Sequence, residues 1–78
     1  PNPFNPETRI RYSISGAGNV KLSVYDILGN IVMIPLNEKQ NAGKYEIVIN
    51  TSLLSSGVYF YKIEAGGFTD TKKMVLIK

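Results

Sequence analysis

The chain has 78 residues and a formal net charge of +3, and it contains neither cysteine nor histidine. It therefore lacks disulfides, a cysteine-based zinc site, and the side chains that most often serve enzymes as general base, nucleophile or metal ligand. A domain of this size buries only roughly 60% of the surface that its unfolded chain exposes, so its large apolar side chains are expected to be structural. The composition argues against an enzyme and against a bound cofactor.

The nine cationic residues are spread along the chain, and their densest run is Lys72-Lys73. Nucleic-acid binding needs several cations on one face, preferably beside exposed aromatic rings, and here most rings are expected in the core. No apolar run approaches the ~20 residues of a membrane-spanning helix. The chain opens on proline, and we expect it to be the last part of a longer protein.

Residues 1–7 contain three prolines, which cannot donate to a central sheet ladder. We expect a linker there, with Phe4 docking as an anchor, followed by one domain over residues 8–78. From Thr8 onward, apolar and polar residues alternate with a period of two, and no eleven-residue window fits the helical template better. The pattern predicts an all-β domain.

The first strand is predicted at about residues 8–15, a second follows a turn at 16–19, and a third runs from Ile31 to about Leu36. Pro35 places the end of the third strand at a sheet edge or bulge. A polar stretch at 37–43 leads to the fourth strand. The connection at 50–56 crosses between sheets, with one helical turn as an option. The fifth strand covers about 57–65, and Gly66-Gly67 forms a two-residue hairpin into the last strand, 68–77.

Every second residue of these strands is apolar and is expected to face the core. The members are Ile10, Tyr12 and Ile14; Val20, Leu22 and Val24; Tyr45, Ile47 and Ile49; and Tyr59, Tyr61 and Ile63. Six or seven short strands at this spacing predict a small antiparallel β-sandwich of Ig-like or related Greek-key topology. The chain has no Cys-Trp-Cys framework, which excludes the true immunoglobulin family. We therefore expect only the architecture of that family, without membership in it.

Two features outside this core pattern are candidates for a site. Tyr25 and Phe60 are out of register with the core positions and are the aromatic residues considered for surface binding, for example of a sugar. Asp26 stands beside a glycine-containing turn, where one carboxylate is too few for calcium. We expect Asp26 to cap the turn at 26–30.

The last strand has lysines on both sides of the apolar run Met74-Val75-Leu76-Ile77. Such a strand can close the sandwich while its lysines discourage edge-to-edge pairing, and weak self-association through a strand edge stays an alternative. An edge strand also offers backbone groups that a receptor can capture by strand addition. Both roles are compatible.

Several short motifs occur in a fixed order along the chain. They are Pro1-Asn2-Pro3-Phe4, Tyr25-Asp26 with Gly29, Ala42-Gly43, Gly57-Val58-Tyr59-Phe60-Tyr61, and Lys73-Met74-Val75-Leu76. In order and spacing they resemble the C-terminal sorting domain of the type IX, or Por, secretion system, of the first and commonest type. The resemblance extends over nearly the whole chain.

The resemblance implies a secreted or cell-surface cargo that crosses the periplasm and is recognised by an outer-membrane translocon. A sortase-like cysteine peptidase then usually removes the domain, cutting at or before Pro1. Translocon recognition is implied for Gly57, Tyr59, Lys73, Val75, Leu76 and Lys78. The structural part of the motif is assigned to Pro3, Phe4, Tyr25, Asp26, Gly29 and Tyr61.

The Ig-like domain of the flagellar hook-capping protein is a related family with similar Pro-Asn-Pro-Phe and Gly-Val-Tyr stretches. It carries a longer acidic loop before the second stretch, whereas residues 50–56 here are short and not acidic. The sorting domain is therefore favoured. The alternative hypotheses are an accessory carbohydrate-binding module and a structural spacer of a secreted enzyme.

Overall fold

The computed structural model describes residues 7–78, which form six antiparallel strands. The strands are β1 (Glu7–Ile14), β2 (Gly18–Asp26), β3 (Ile31–Gln40), β4 (Gly43–Asn50), β5 (Gly57–Ala65) and β6 (Phe68–Leu76). Within residues 7–78 the structure has no helix of the length and apolar character that crossing a membrane requires. The predicted all-β fold with six or seven strands is confirmed.

The strands form two sheets, one with β1 beside β4 and one with the order β3-β2-β5-β6. In an immunoglobulin sandwich, strands B and E are neighbours in one sheet, and C′, C, F and G follow one another in the other. β1 and β4 take the places of B and E, and β3, β2, β5 and β6 take those of C′, C, F and G. The Ig-like topology expected from the strand spacing is therefore present.

The core lies between the two sheets and is built from most of the predicted alternating positions, together with Met74 and Leu76 of β6. Tyr45, which the sequence placed in the core, is only half-buried and lies outside the buried cluster. The buried apolar residues are Ile10, Val20, Leu22, Val24, Ile49, Tyr59, Ile63, Met74 and Leu76. Tyr12, Ile14, Ile47 and Tyr61 are half-buried and pack against this cluster. The Tyr12 hydroxyl donates a 2.6 Å hydrogen bond to Oε1 of Gln40, which ties β1 to β3 across the sandwich. Burial in the sandwich raises the pKa of the Tyr12 hydroxyl.

β3 is longer than the sequence predicts, because the polar residues 37–40 continue the strand instead of forming a loop. They pair with the first half of β2, and Nδ2 of Asn19 donates a 3.0 Å hydrogen bond to Oδ1 of Asn37. The strand lies at the edge of its sheet, where polar side chains can stay hydrated, so apolar alternation gives no signal there. Pro35 does fall at an edge and beside a bulge, since the register with β2 shifts between the Leu22 and Val24 pairs.

One turn agrees with the sequence prediction, and one connection lacks the helical turn that the sequence left as an option. Gly66 and Gly67 join β5 to β6 as a two-residue hairpin loop closed by the pair Ala65 and Phe68. The connection between β4 and β5, residues 51–56, contains a turn in which the Leu54 amide donates a 3.0 Å hydrogen bond to the Thr51 carbonyl. No helical turn occurs in this connection.

Candidate recognition site

The six residues implied in recognition are brought together at one end of the β5–β6 hairpin. The Gly66-Gly67 loop sets a register in which Gly57 pairs with Leu76, Tyr59 with Met74, and Phe60 with Lys73. Val58 pairs with Val75 between them. Lys78 is the second residue after the end of β6. Residues that are distant in sequence therefore form one continuous patch, defined here as the hairpin end: residues 57–60 and 73–78.

Two of the six side chains point away from the core. Lys73 and Val75 are exposed, with 55% of Val75 accessible, and they lie on the outer face of the four-stranded sheet. Their cross-strand neighbours on that face are Phe60 and Val58, and Tyr25 of β2 lies directly opposite Phe60. An apolar strip thus crosses β2, β5 and β6.

Basic side chains border this strip. Nζ of Lys62 lies 5.5 Å from the ring centroid of Tyr25, within the range of a cation–π contact. Lys73 stands opposite Phe60 on the edge strand. The outward face of the hairpin end therefore combines apolar area with positive charge.

Two other residues of the set point inward and hold the hairpin in the sandwich. Leu76 is buried. Tyr59 is also buried, and its hydroxyl donates a 2.8 Å hydrogen bond to the carbonyl of Ser55, four residues upstream. An aromatic hydroxyl bonded to the backbone just before strand F is the tyrosine corner of Ig-like sandwiches. Tyr59 and Leu76 therefore position the site from inside and present little surface of their own.

Gly57 begins β5 in a backbone conformation that other residues rarely adopt. Its φ is 156°, and a Cβ added there would meet only the ring of Tyr59, at an ordinary 3.8 Å. A side chain would therefore fit at this position, and glycine is required because of the positive φ and not because of a steric clash. The chain uses this residue to turn from the 51–56 connection into the tyrosine corner.

Lys78 lies beyond β6, and its side chain folds back onto the 51–56 connection. The ammonium donates hydrogen bonds to the carbonyls of Thr51 at 2.8 Å, of Ser52 at 2.9 Å, and of Leu54. The Lys78 amide donates a 2.9 Å hydrogen bond to Oγ of Ser56. Sequence reasoning named Lys78 but missed Ser56 and Thr51, because no local pattern reveals contacts between residues more than twenty positions apart.

The structural motif residues occupy turn and strand positions near the same end. Oδ1 of Asp26 accepts 2.9 Å hydrogen bonds from the amides of Leu28 and Asn30, which confirms the predicted turn cap. These bonds, the one from Asn30 above all, lower the pKa of Asp26. Gly29 has a φ of 86° and allows the chain to reverse. Pro3 and Phe4, including the expected anchoring by Phe4, lie outside the described residues.

The opposite end of the sandwich holds an open groove of about 660 Å³ lined by the turns at residues 13–20 and 65–68. None of the six recognition residues contributes to it. Within residues 7–78, no three acidic residues come together as a metal-binding cluster. Among residues 7–78, β6 has β5 as its one neighbour, and its other side is an open sheet edge within that part of the chain.

These features define an Ig-like β-sandwich whose last strand, β6, has one paired side and one open side among residues 7–78. The whole chain, residues 1–78, matches the family model described as the secretion system C-terminal sorting domain. The chain belongs to this family, whose members are the C-terminal sorting signals of type IX secretion. The family is not an enzyme family, and it implies a cargo that is secreted or displayed on the cell surface and that meets the type IX machinery. No curated protein and no solved structure matches the chain significantly.

Proposed function

We propose that the outer-membrane translocon grips this domain at the hairpin end, through the open edge of β6 and the outward side chains of Lys73 and Val75. The observation that carries the proposal is the convergence of the six recognition residues on one paired stretch beside an open strand edge. A receptor strand added to that edge would gain affinity from the backbone and specificity from alternate side chains.

In this proposal five of the six residues divide into two roles. Lys73 and Val75 contact the receptor, since they are exposed on the outer face. Gly57, Tyr59 and Leu76 hold β6 in its place, since two of them are buried and the third sets the chain direction. The side chain of Lys78, the sixth residue, is bound to the 51–56 connection.

The proposed route of the cargo follows the family. A signal at the start of the parent protein takes it into the periplasm, and the folded domain is then recognised at the outer membrane. A sortase-like cysteine peptidase removes the domain at or before Pro1, and the cargo is attached to the surface or released. The domain is a substrate and ligand throughout and has no reaction of its own.

Secretion of a reporter protein tests this function. Residues 1–78 are fused to an exported reporter in a bacterium with a type IX system, and the reporter is measured in periplasm, cell surface and medium. We expect the fusion to leave the periplasm and deletion of residues 73–78 to retain it there. Periplasmic retention of the complete fusion would contradict the function.

A pair of valine variants tests the site. Val75→Ser changes the outer face of β6, whereas Val48→Ser changes an exposed valine, 40% accessible, on β4 in the other sheet. We expect secretion to fall with Val75→Ser and to stay unchanged with Val48→Ser. Equal secretion of the two variants would place the receptor contact elsewhere.

An accessory carbohydrate-binding module is the second candidate, because Tyr25 and Phe60 are directly paired on the outer face. Aromatic rings on a sheet surface can stack on sugar rings. A titration with soluble polysaccharide fragments, followed by NMR, would support this function if the signals of Tyr25 and Phe60 moved. Unchanged signals would rule out the carbohydrate-binding function.

A further inference from the structure

The ammonium of Lys78 has no hydrogen-bond donor left for a partner protein. A lysine ammonium carries three N–H donors and no acceptor. All three have an acceptor within the chain, the carbonyls of Thr51, Ser52 and Leu54. A receptor carboxylate could bind this ammonium only by displacing one of these carbonyls.

The same contacts join two segments that no strand pairing connects. Residues 77–78 lie beyond β6, and residues 51–56 link β4 in one sheet to β5 in the other. The Lys78 amide adds a fourth tie by donating to Oγ of Ser56. Thr51, whose carbonyl accepts from the ammonium and from the Leu54 amide, is fully buried. The anchor on the connection is therefore a rigid part of the sandwich.

The tie also decides the direction of the neighbouring side chain. Ile77 is 73% exposed, between the buried Leu76 and the fastened Lys78. Because Leu76 is buried on one side and Lys78 is hydrogen-bonded on the other, the Ile77 side chain is directed outward at the hairpin end. Without the tie, the segment after Leu76 would lose its hydrogen bonds to the 51–56 connection.

We propose that Lys78 is a positioning residue, whose ammonium fastens the segment after β6 to the 51–56 connection and so presents the end of β6 in one conformation. Its charge is used within the domain and is not a contact for the receptor. This inference rests on the proposed recognition of the hairpin end, and it assigns Lys78 a role different from those of Lys73 and Val75.

Three variants separate positioning from direct charge contact. Ser56→Ala removes the acceptor of the Lys78 amide and leaves the lysine charge intact. Lys78→Arg keeps the charge, but the N–H groups of a planar guanidinium diverge and cannot meet three carbonyls around one nitrogen. Lys78→Met removes the ammonium. Ser52→Ala is the matched control, since it changes an exposed side chain in the same connection and keeps its carbonyl.

Amide hydrogen exchange of residues 1–78 measures the tie directly. We expect the Lys78 amide to exchange about fivefold faster in Ser56→Ala, the effect of losing one neutral hydrogen bond. The Leu54 amide should exchange faster in Lys78→Met and Lys78→Arg, and Ser52→Ala should leave both amides unchanged. An unchanged Leu54 amide in Lys78→Met would overturn the tie.

Secretion of the reporter fusion measures the consequence. We expect Ser56→Ala, Lys78→Arg and Lys78→Met all to lower secretion relative to Ser52→Ala. Normal secretion of Lys78→Arg and Ser56→Ala, with loss in Lys78→Met alone, would show a direct charge contact and overturn the positioning role. If the unaltered fusion stays in the periplasm, the proposed function fails, while the exchange rates still decide whether the tie exists.

Discussion

At the scale of single residues, the outer face of β2 contains a buried hydroxyl. Ser23 is fully buried, and its Oγ has no hydrogen-bond partner among residues 7–78. A buried polar group without a hydrogen-bond partner lowers the free energy of unfolding. Replacing it with an apolar group of similar size removes this destabilisation.

We therefore expect Ser23→Ala to raise the free energy of unfolding by about 1 kcal/mol. Urea denaturation followed by circular dichroism measures the change. Ser13→Ala, at an exposed position on β1, is the control and should stay within about 0.5 kcal/mol of the unaltered chain. A loss of stability in Ser23→Ala would mean that Oγ has a partner after all.

Asp26 links the stability of the 26–30 turn to pH. Hydrogen bonds from Asn30, Leu28 and Gly29 lower its pKa in the folded state below the ordinary value of 3.8. A carboxyl with a lowered folded-state pKa stabilises the fold above its unfolded-state pKa, and this contribution is lost as the pH falls through the folded-state pKa. The loss is therefore expected below about pH 4.

An NMR titration of the Asp26 carboxyl carbon measures this pKa. We expect a midpoint below 3.8, and in Asn30→Ala, which removes the side-chain hydrogen bond to Oδ2, a midpoint closer to 3.8. A midpoint above 3.8 in the unaltered chain would contradict the proposed turn geometry.

At the scale of elements, the start of β5 depends on the tyrosine corner. Tyr59→Phe keeps the buried ring but removes the hydroxyl that bonds the Ser55 carbonyl. We expect a loss of about 1 kcal/mol in the free energy of unfolding, the usual value of one hydrogen bond. Tyr61→Phe is the control, because Tyr61 is half-buried on the same strand and takes no part in the tyrosine corner. Equal free energies of unfolding for the two variants would contradict a structural role for the Tyr59 hydroxyl.

The sequence predicts most of the strands and turns. The features that it does not predict are the end of β3 and the contacts of Lys78, and each has a physical reason. Alternation locates the core faces of β1, β2, β4 and β5 because each strand turns one side toward the core. The Gly66-Gly67 loop predicts the register of β5 against β6, because a loop of two residues fixes which residues of the two strands face each other. The end of β3 is missed because its polar residues hydrate freely at the sheet edge. The tie between Lys78 and Ser56 is missed because it joins distant segments and has no periodic pattern.

At the scale of the whole molecule, the domain divides into two ends with different roles. The end with the Gly66-Gly67 loop holds an open groove and none of the six residues proposed for recognition. The other end gathers the tyrosine corner, the Lys78 tie and the outward Lys73 and Val75. The buried side chains of Met74 and Leu76 hold β6 in the sandwich, and in the proposed function the secretion machinery binds the outer face of that strand.

Site-specific photo-crosslinking during secretion tests this account most directly. A photoreactive residue is placed at position 75 on the outer face of β6 or at position 48 on β4, in the reporter fusion, and adducts are identified in outer-membrane fractions. The account predicts an adduct with a translocon component from position 75 and none from position 48. An adduct from position 48 alone would contradict the claim that the hairpin end is the surface which the secretion machinery binds.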